Sequence, residues 1–139
     1  MPAEPQAREF LDTNILIYAF STDPRAAPAE ALLAKGCVTS VQALNEFANV
    51  ARRKLAMPWL EVNEALAAIR TLCRAIVPLD LETHAEAMVI AERDGLAVFD
   101  ALMLAAALRA GCGVFWSEDM QHCREIGGRL RIVNPFVAE

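Results

Sequence analysis

Four acidic side chains stand where the chain otherwise runs apolar: Asp12 in FLDTNILIY, Glu46 in VQALNEFANV, Asp100 at the head of DALMLAAALR, and Asp119 after VFWSE. Carboxylates of this kind offer only hard oxygen donors. Gathered at one place they would repel one another by about 4 kcal/mol per pair at about 4 Å and an effective dielectric near 20. The chain has two lysines, Lys35 and Lys54, and neither lies next to an acid in sequence. A cluster of this sort stays folded by taking up protons or a hard cation. An oxygen-only donor set favours Mg²⁺ or Mn²⁺ over zinc.

Each acid also has an ordinary explanation. Asp is a favoured helix N-cap, worth about 1 kcal/mol, and Asp12, Asp100 and Asp119 each stand at a junction where a cap would serve. Asp80, between a strand and a helix, reads as a cap or a solvated turn. Glu118 competes with Asp119 for the last acidic position. Glu46 lies off its helix's apolar stripe, and its neighbours Gln42, Ala43, Asn49 and Val50 supply no cation for a pair three or four residues away.

The elements that must position these acids alternate. Phe10-Leu11 ends a first strand and a helix follows over 14–20; residues 22–28 are a turn-rich loop before a helix over 29–35. A second strand covers 37–39. Val41, Leu44, Ala48, Ala51 and Leu55 mark the apolar stripe of a third helix, capped by Thr39 or Ser40. After Met57-Pro58-Trp59 a fourth helix spans 62–72, and a third strand 75–77. A fifth helix starts near Thr83, where Thr83-x-x-Glu86 fits a capping box. A sixth, over 100–109, is apolar on nearly every side and therefore buried. Strands over 113–116 and 131–133 complete the order. Such alternation predicts an α/β sandwich of three layers, with a mostly parallel five-stranded central sheet. Ligands bind outside the carboxyl ends of such strands, the edge at which all four acids are expected.

At 139 residues the chain is read as one domain over 1–139, with residues 1–7 flexible. The formal charge of −5 gives no long-range attraction to nucleic acid, so any such contact must be local or bridged by cations. No signal-peptide pattern and no apolar run of membrane-spanning length occurs, and the four cysteines lack metal-site spacing. A cytoplasmic protein with buried, reduced cysteines is expected.

The segments REFLDTNILIYAF, SVQALNEFANVARR, FDALMLAAALRAGC, WSEDMQH and LRIVNPF, in this order, resemble the PIN-domain nucleases, and most of all the VapC-type toxins of toxin–antitoxin modules. The resemblance runs from Phe10 to Phe136. It implies an acidic tetrad of Asp12, Glu46, Asp100 and Asp119, with Thr13 or Asn14 and Ser117 as polar supports. Two positions depart from the family pattern: Cys123 stands where relatives commonly have glycine, and Phe99 replaces a tryptophan or tyrosine. The implied activity is a Mg²⁺- or Mn²⁺-dependent endoribonuclease, with Asp12 and Asp100 holding the ion and Asp119 and Glu46 completing its shell or binding a second. The implied partners are an RNA such as transfer RNA, a small antitoxin and a second copy of the chain, without a membrane. Arg52, Arg53, Lys54 and Arg124 are candidate RNA contacts. The competing readings are a catalytically inactive PIN module, a receiver-type phosphoacceptor domain, and a nuclease acting on single-stranded DNA.

Overall fold

A computed structural model of the chain describes residues 8–137, so the flexibility expected of residues 1–7 lies outside the described residues. Six strands form one sheet: β1 (Arg8–Leu11), β2 (Val38–Ser40), β3 (Ala75–Val77), β4 (Cys112–Trp116), β5 (Glu125–Ile126) and β6 (Leu130–Val133). Their order is β3-β2-β1-β4-β6-β5, with every pairing parallel except β5 with β6. Helices α1 (Thr13–Ala19), α2 (Ala26–Ala34), α3 (Val41–Arg53), α4 (Trp59–Leu72), α5 (Leu81–Asp94) and α6 (Val98–Arg109) flank it. The expected mostly parallel α/β sandwich is present, with six strands in place of five. The extra one, β5, is two residues long and too short to leave a periodic trace. It turns back onto β6 through Gly127 and Gly128, both in left-handed backbone.

The strand order fixes where a ligand can sit. From β1 the chain steps outward to β2 and β3, then returns to place β4 on the other side of β1. Right-handed crossovers put the helices of those two excursions on opposite faces. The carboxyl ends of β1 and β4 therefore open onto the crevice where the strand order reverses. The seam itself is closely packed: Phe10 and Phe115 are register partners whose buried rings stack at 5.1 Å and 6°. Leu11, Val38 and Ile132 are also fully buried. In α6 every residue from Ala101 to Leu108 is buried, as its all-round apolar sequence predicts.

Several helix starts differ from the sequence reading, α2 among them, which begins at Ala26 rather than at 29. α4 begins at Trp59 because Pro58 takes the N-cap position, where its missing N–H is no loss. α5 begins at Leu81, capped by Asp80, whose Oδ1 accepts both the Thr83 backbone N–H (2.9 Å) and the Thr83 hydroxyl (2.6 Å). The Thr83 hydroxyl is thus a donor inside the first turn, and the capping box centred on it does not form. α6 begins at Val98, two residues before Asp100, with Ala97 as a cap lacking any side-chain hydrogen bond. No helix among the described residues is long and apolar enough to cross a membrane.

Cys123 adopts φ +66°, in the left-handed region where glycine is at ease. The departure at this position leaves the turn intact and loads it with strain. Gly95, which ends α5, has φ +67° and nothing within 4 Å of an added Cβ. The same backbone preference therefore acts with opposite signs at the two sites. Cys123→Gly should raise stability by up to about 1 kcal/mol and Gly95→Ala should lower it by about 1 kcal/mol. Urea denaturation of both variants checks this; a destabilised Cys123→Gly would show that its thiol contact to Arg131 outweighs the strain.

Candidate active site

Asp12 follows β1 directly and caps α1. Its backbone N–H bonds to the Trp116 carbonyl at 3.0 Å, which continues the β1–β4 ladder to the carboxylate. Its Oδ1 accepts the Thr13 backbone N–H at 2.7 Å; its Oδ2 accepts the Ser117 hydroxyl at 2.7 Å and the Asn14 amide at 3.3 Å. The side chain is 6% exposed. Burial pushes its pKa up to about 7; the Ser117 and Thr13 bonds oppose the rise, and the charges of Asp100 and Glu46 add to it.

The other three acids arrive on separate elements. Glu46 rides on α3, whose N-terminus is fixed by the Ser40 hydroxyl accepting the Ala43 N–H at 3.2 Å. Its Oε2 accepts the Gln42 amide at 3.3 Å. Burial raises its pKa, as does the Asp100 charge, against the lowering effect of Gln42. Asp100 is the third residue of α6 and caps nothing; burial and the neighbouring Asp119 hold its pKa up. Asp119 follows β4, and its Oδ2 accepts the Asn14 amide at 3.0 Å. Asn14 thus spreads one NH₂ group across the carboxylates of Asp12 and Asp119, while its own Oδ1 accepts the Glu118 N–H at 3.2 Å.

Asp12, Glu46, Asp100 and Asp119 line one open cleft of about 320 Å³, together with Thr13, Asn14, Ile17, Tyr18, Val50 and Lys54. Among the described residues no three Asp, Glu, His or Cys side chains converge closely enough to hold an ion as they stand. The acids line the wall without closing on a common point. The donor set fits a hard cation: oxygen only, with no thiol or imidazole in the lining. The buried Thr13 hydroxyl adds to this fit, since it belongs to a lining residue and has no hydrogen-bond partner.

The competition between Glu118 and Asp119 has a clear geometric outcome. Glu118 turns from the cleft: it accepts the Tyr18 hydroxyl at 2.6 Å and pairs with the Arg25 guanidinium at 2.9 Å. Arg25 is itself held by Asp23 at 2.8 Å and lies over the Tyr18 ring at 4.3 Å. From the sequence Tyr18 is a candidate only for stacking on a base, and Arg25 has no assigned role. Tyr18 had a usable signal, since it lies four residues after Asn14 on the same face of α1. Arg25, in a loop 93 residues from its partner, had none.

The basic candidates separate. Lys54 lines the cleft itself, on the face of α3 that carries Glu46, so the cleft has a cation that its distance in sequence conceals. Arg53 lies in an adjoining hollow. Arg52 donates to the Met57 carbonyl at 2.8 Å and stacks over Trp59 at 4.7 Å. Arg124 is not in the cleft lining; it donates to the Asp94 carbonyl at 2.6 Å and ties the loop after β4 to the end of α5.

No curated protein matches the sequence significantly. In fold the chain is similar to several solved structures. One is a toxin–antitoxin complex from Klebsiella pneumoniae, with TM-score 0.70 and 19% identity over 92% of this chain and 98% of that one. Another is DNA-bound VapBC from Salmonella typhimurium, with TM-score 0.64 and 19% identity over 94% and 99%. A third is the sarcin–ricin loop cleaving toxin VapC20 of Mycobacterium tuberculosis, with TM-score 0.63 and 22% identity over 80% and 89%. At these identities the likeness speaks for the fold. The sequence itself matches the PIN domain family over residues 10–125, most of its length. The chain belongs to the PIN-domain family.

Proposed function

We propose that the protein is a divalent-metal-dependent endoribonuclease, the cytoplasmic toxin of a toxin–antitoxin pair. One observation carries this reading: four carboxylates, each from a different segment of the chain, line a single cleft at the topological switch point, with Lys54 as the only cation in its lining. An arrangement that concentrates negative charge against its own burial cost favours a Mg²⁺ or Mn²⁺ ligand. When bound, such an ion lowers the pKa of a water and neutralises phosphoryl oxygens during in-line displacement. The hydrolysis would leave a 5′-phosphate and a 3′-hydroxyl.

In this reading Asp12 is the fixed ligand, immobilised by Thr13, Asn14 and Ser117. Asp100 and Asp119 face it from α6 and the end of β4, and Glu46 completes the set from α3. Closing a coordination shell requires these last three to turn inward. Asn14 keeps Asp12 and Asp119 apart in the absence of a cation and offers both carboxylates a donor. The partners are an RNA, with transfer RNA the class suggested by the family resemblance, an antitoxin protein that covers the acidic cleft, and a second copy of the chain. A receiver domain is disfavoured by the strand order, which differs from the 2-1-3-4-5 of that fold. It would also need a lysine near the carboxyl end of a late strand, whereas Lys35 is paired to Glu9 at 2.8 Å and Lys54 ends α3.

Because Asp100 caps no helix, Asp100→Asn should keep or raise stability while cleavage falls on the order of a hundredfold or more. The assay is cleavage of a transfer-RNA and ribosomal-RNA pool by metal-stripped protein with Mn²⁺, Mg²⁺ or EDTA. Activity equal to wild type in the variant would leave a PIN fold serving only as a binding module. Mn²⁺ should also raise the melting temperature of the wild type by mass action and raise that of Asp12→Asn much less; equal shifts would remove Asp12 from the site.

The metal-free protein should also respond to pH. With a folded pKa of about 7 against about 3.9 unfolded, the Asp12 carboxyl takes up a proton on folding between those values. Its contribution to stability is complete below about pH 4 and is lost as pH rises through 7. Between about pH 5 and about pH 8 the metal-free wild type should lose roughly 2–4 kcal/mol. Asp12→Asn should flatten that slope and be the more stable protein at about pH 8. Denaturant melts across the range decide it, and a flat wild-type profile would mean the carboxylate is solvated in solution.

A further inference from the structure

Beside the acidic cleft lies a second hollow of about 330 Å³, lined by Asn49, Val50, Arg53 and Lys54. Val50 and Lys54 are walls of both, so the two hollows adjoin along α3. Glu46, Val50 and Lys54 follow at four-residue intervals on one face of that helix, which spreads them over about 12 Å. The charge changes sign along this path, from four carboxylates at one end to an ammonium and a guanidinium at the other.

We propose that this hollow is a subsite for the phosphate backbone of single-stranded RNA, seating the strand next to the scissile bond through Arg53 and Lys54. The proposal rests on the nuclease reading of the neighbouring cleft and names how its substrate is held. Two observations carry it. First, these cations are available. Arg25 and Lys35 are held in short ion pairs, and Arg124 is tied to Asp94. The side chains of Arg53 and Lys54 make no hydrogen bond or ion pair among the described residues; the Lys54 backbone N–H only closes the helix onto the Val50 carbonyl at 2.8 Å. Second, the third cation of the run is engaged next to them. Arg52 is anchored to the Met57 carbonyl and covers Trp59, an indole 58% exposed at the start of α4. Trp59 lines neither hollow, but an exposed aromatic beside this basic run suits an unpaired base, as single-strand recognition commonly uses. A polyanion cannot approach four carboxylates through empty solvent without repulsion, and two free cations in the adjoining hollow offset it where the strand must enter. A molecule with a net charge of −5 has no general attraction for RNA, so a local contact of this kind is needed.

The test uses Arg53→Gln, Lys54→Gln, their combination and Lys54→Arg. Binding of a labelled single-stranded oligoribonucleotide of mixed sequence is measured by anisotropy in Mn²⁺ against rising KCl, on an Asp100→Asn background that does not cleave it. Cleavage is followed separately in the chain with Asp100 intact. Each Gln substitution should reduce the slope of log Kd against log salt by about 0.7. The pair should weaken binding about tenfold and raise KM rather than lower kcat, with the Mn²⁺-induced rise in melting temperature unchanged and Lys54→Arg near wild type. Unchanged affinity and salt slope in the double variant overturn the subsite, as does a loss of RNA binding that follows a loss of folding stability. Failure of the parent reading looks different: RNA bound with the expected slope, yet no cleavage by the chain with Asp100 intact.

Discussion

Burying the Asp12 carboxylate at the end of the β1–β4 seam is the constraint that the rest of the site answers to. A carboxylate almost wholly withdrawn from water is costly unless hydrogen-bonded or neutralised. Here each oxygen has a donor, and every donor depends on the fold. Thr13 offers its N–H because α1 starts there, and Ser117 its hydroxyl because β4 ends alongside β1. Asn14 reaches back from the first turn of α1. The stacked Phe10 and Phe115 hold the two strands in register, so the apolar core and the polar site are one structure seen at two heights along the seam. These bonds still leave the Asp12 pKa near 7, so burial outweighs them.

The neighbouring groups manage the charge that remains. Asn14 separates Asp12 from Asp119 with a neutral donor, and Gln42 gives Glu46 a neutral donor of its own. Glu118, one residue from Asp119, would be a fifth acid at the cleft. Tyr18 and Arg25 turn it aside and bind it in a network with Asp23. The stacking of Arg25 on Tyr18 makes this more than a surface ion pair, because the aromatic ring that lines the cleft also fixes the guanidinium. The acids that line the cleft thereby number four.

What the sequence revealed and what it hid follow the range of the interactions involved. The parallel α/β layout, the Ser40 cap and the buried α6 are local or periodic features, and they were legible. The alignment of Asp12 with Asp119 was legible only through the rule that parallel strands share a carboxyl edge. β5 leaves no signal in the sequence, because two residues carry no period. The starts of α2, α4, α5 and α6 precede the point where apolar periodicity begins; of their caps only Asp80 accepts a side-chain capping bond, while Arg25, Pro58 and Ala97 make none. The Tyr18–Glu118–Arg25 network joins residues about a hundred positions apart and leaves no local pattern. Lys54 is eight residues from Glu46 along the chain, and a helix brings every fourth residue back to the same face.

Asp100 shows how a shift of two residues in a boundary changes the meaning of a side chain. Had α6 begun at Asp100, the acid would be a cap of the ordinary kind, and its presence would follow from helix geometry alone. With the helix starting at Val98, the carboxylate sits inside the first turn and accepts no capping bond. A favourable interaction with the helix N-terminus remains, worth a few tenths to about 1 kcal/mol. Against it stand partial burial and the proximity of Asp119, both of which raise its pKa. An alanine or glutamine there would suit a helix this apolar at least as well. Local stability therefore gives little reason for an aspartate at this position, and the proposed cation supplies one: a ligand that the other three acids, each fixed by its own element, cannot replace from where they stand.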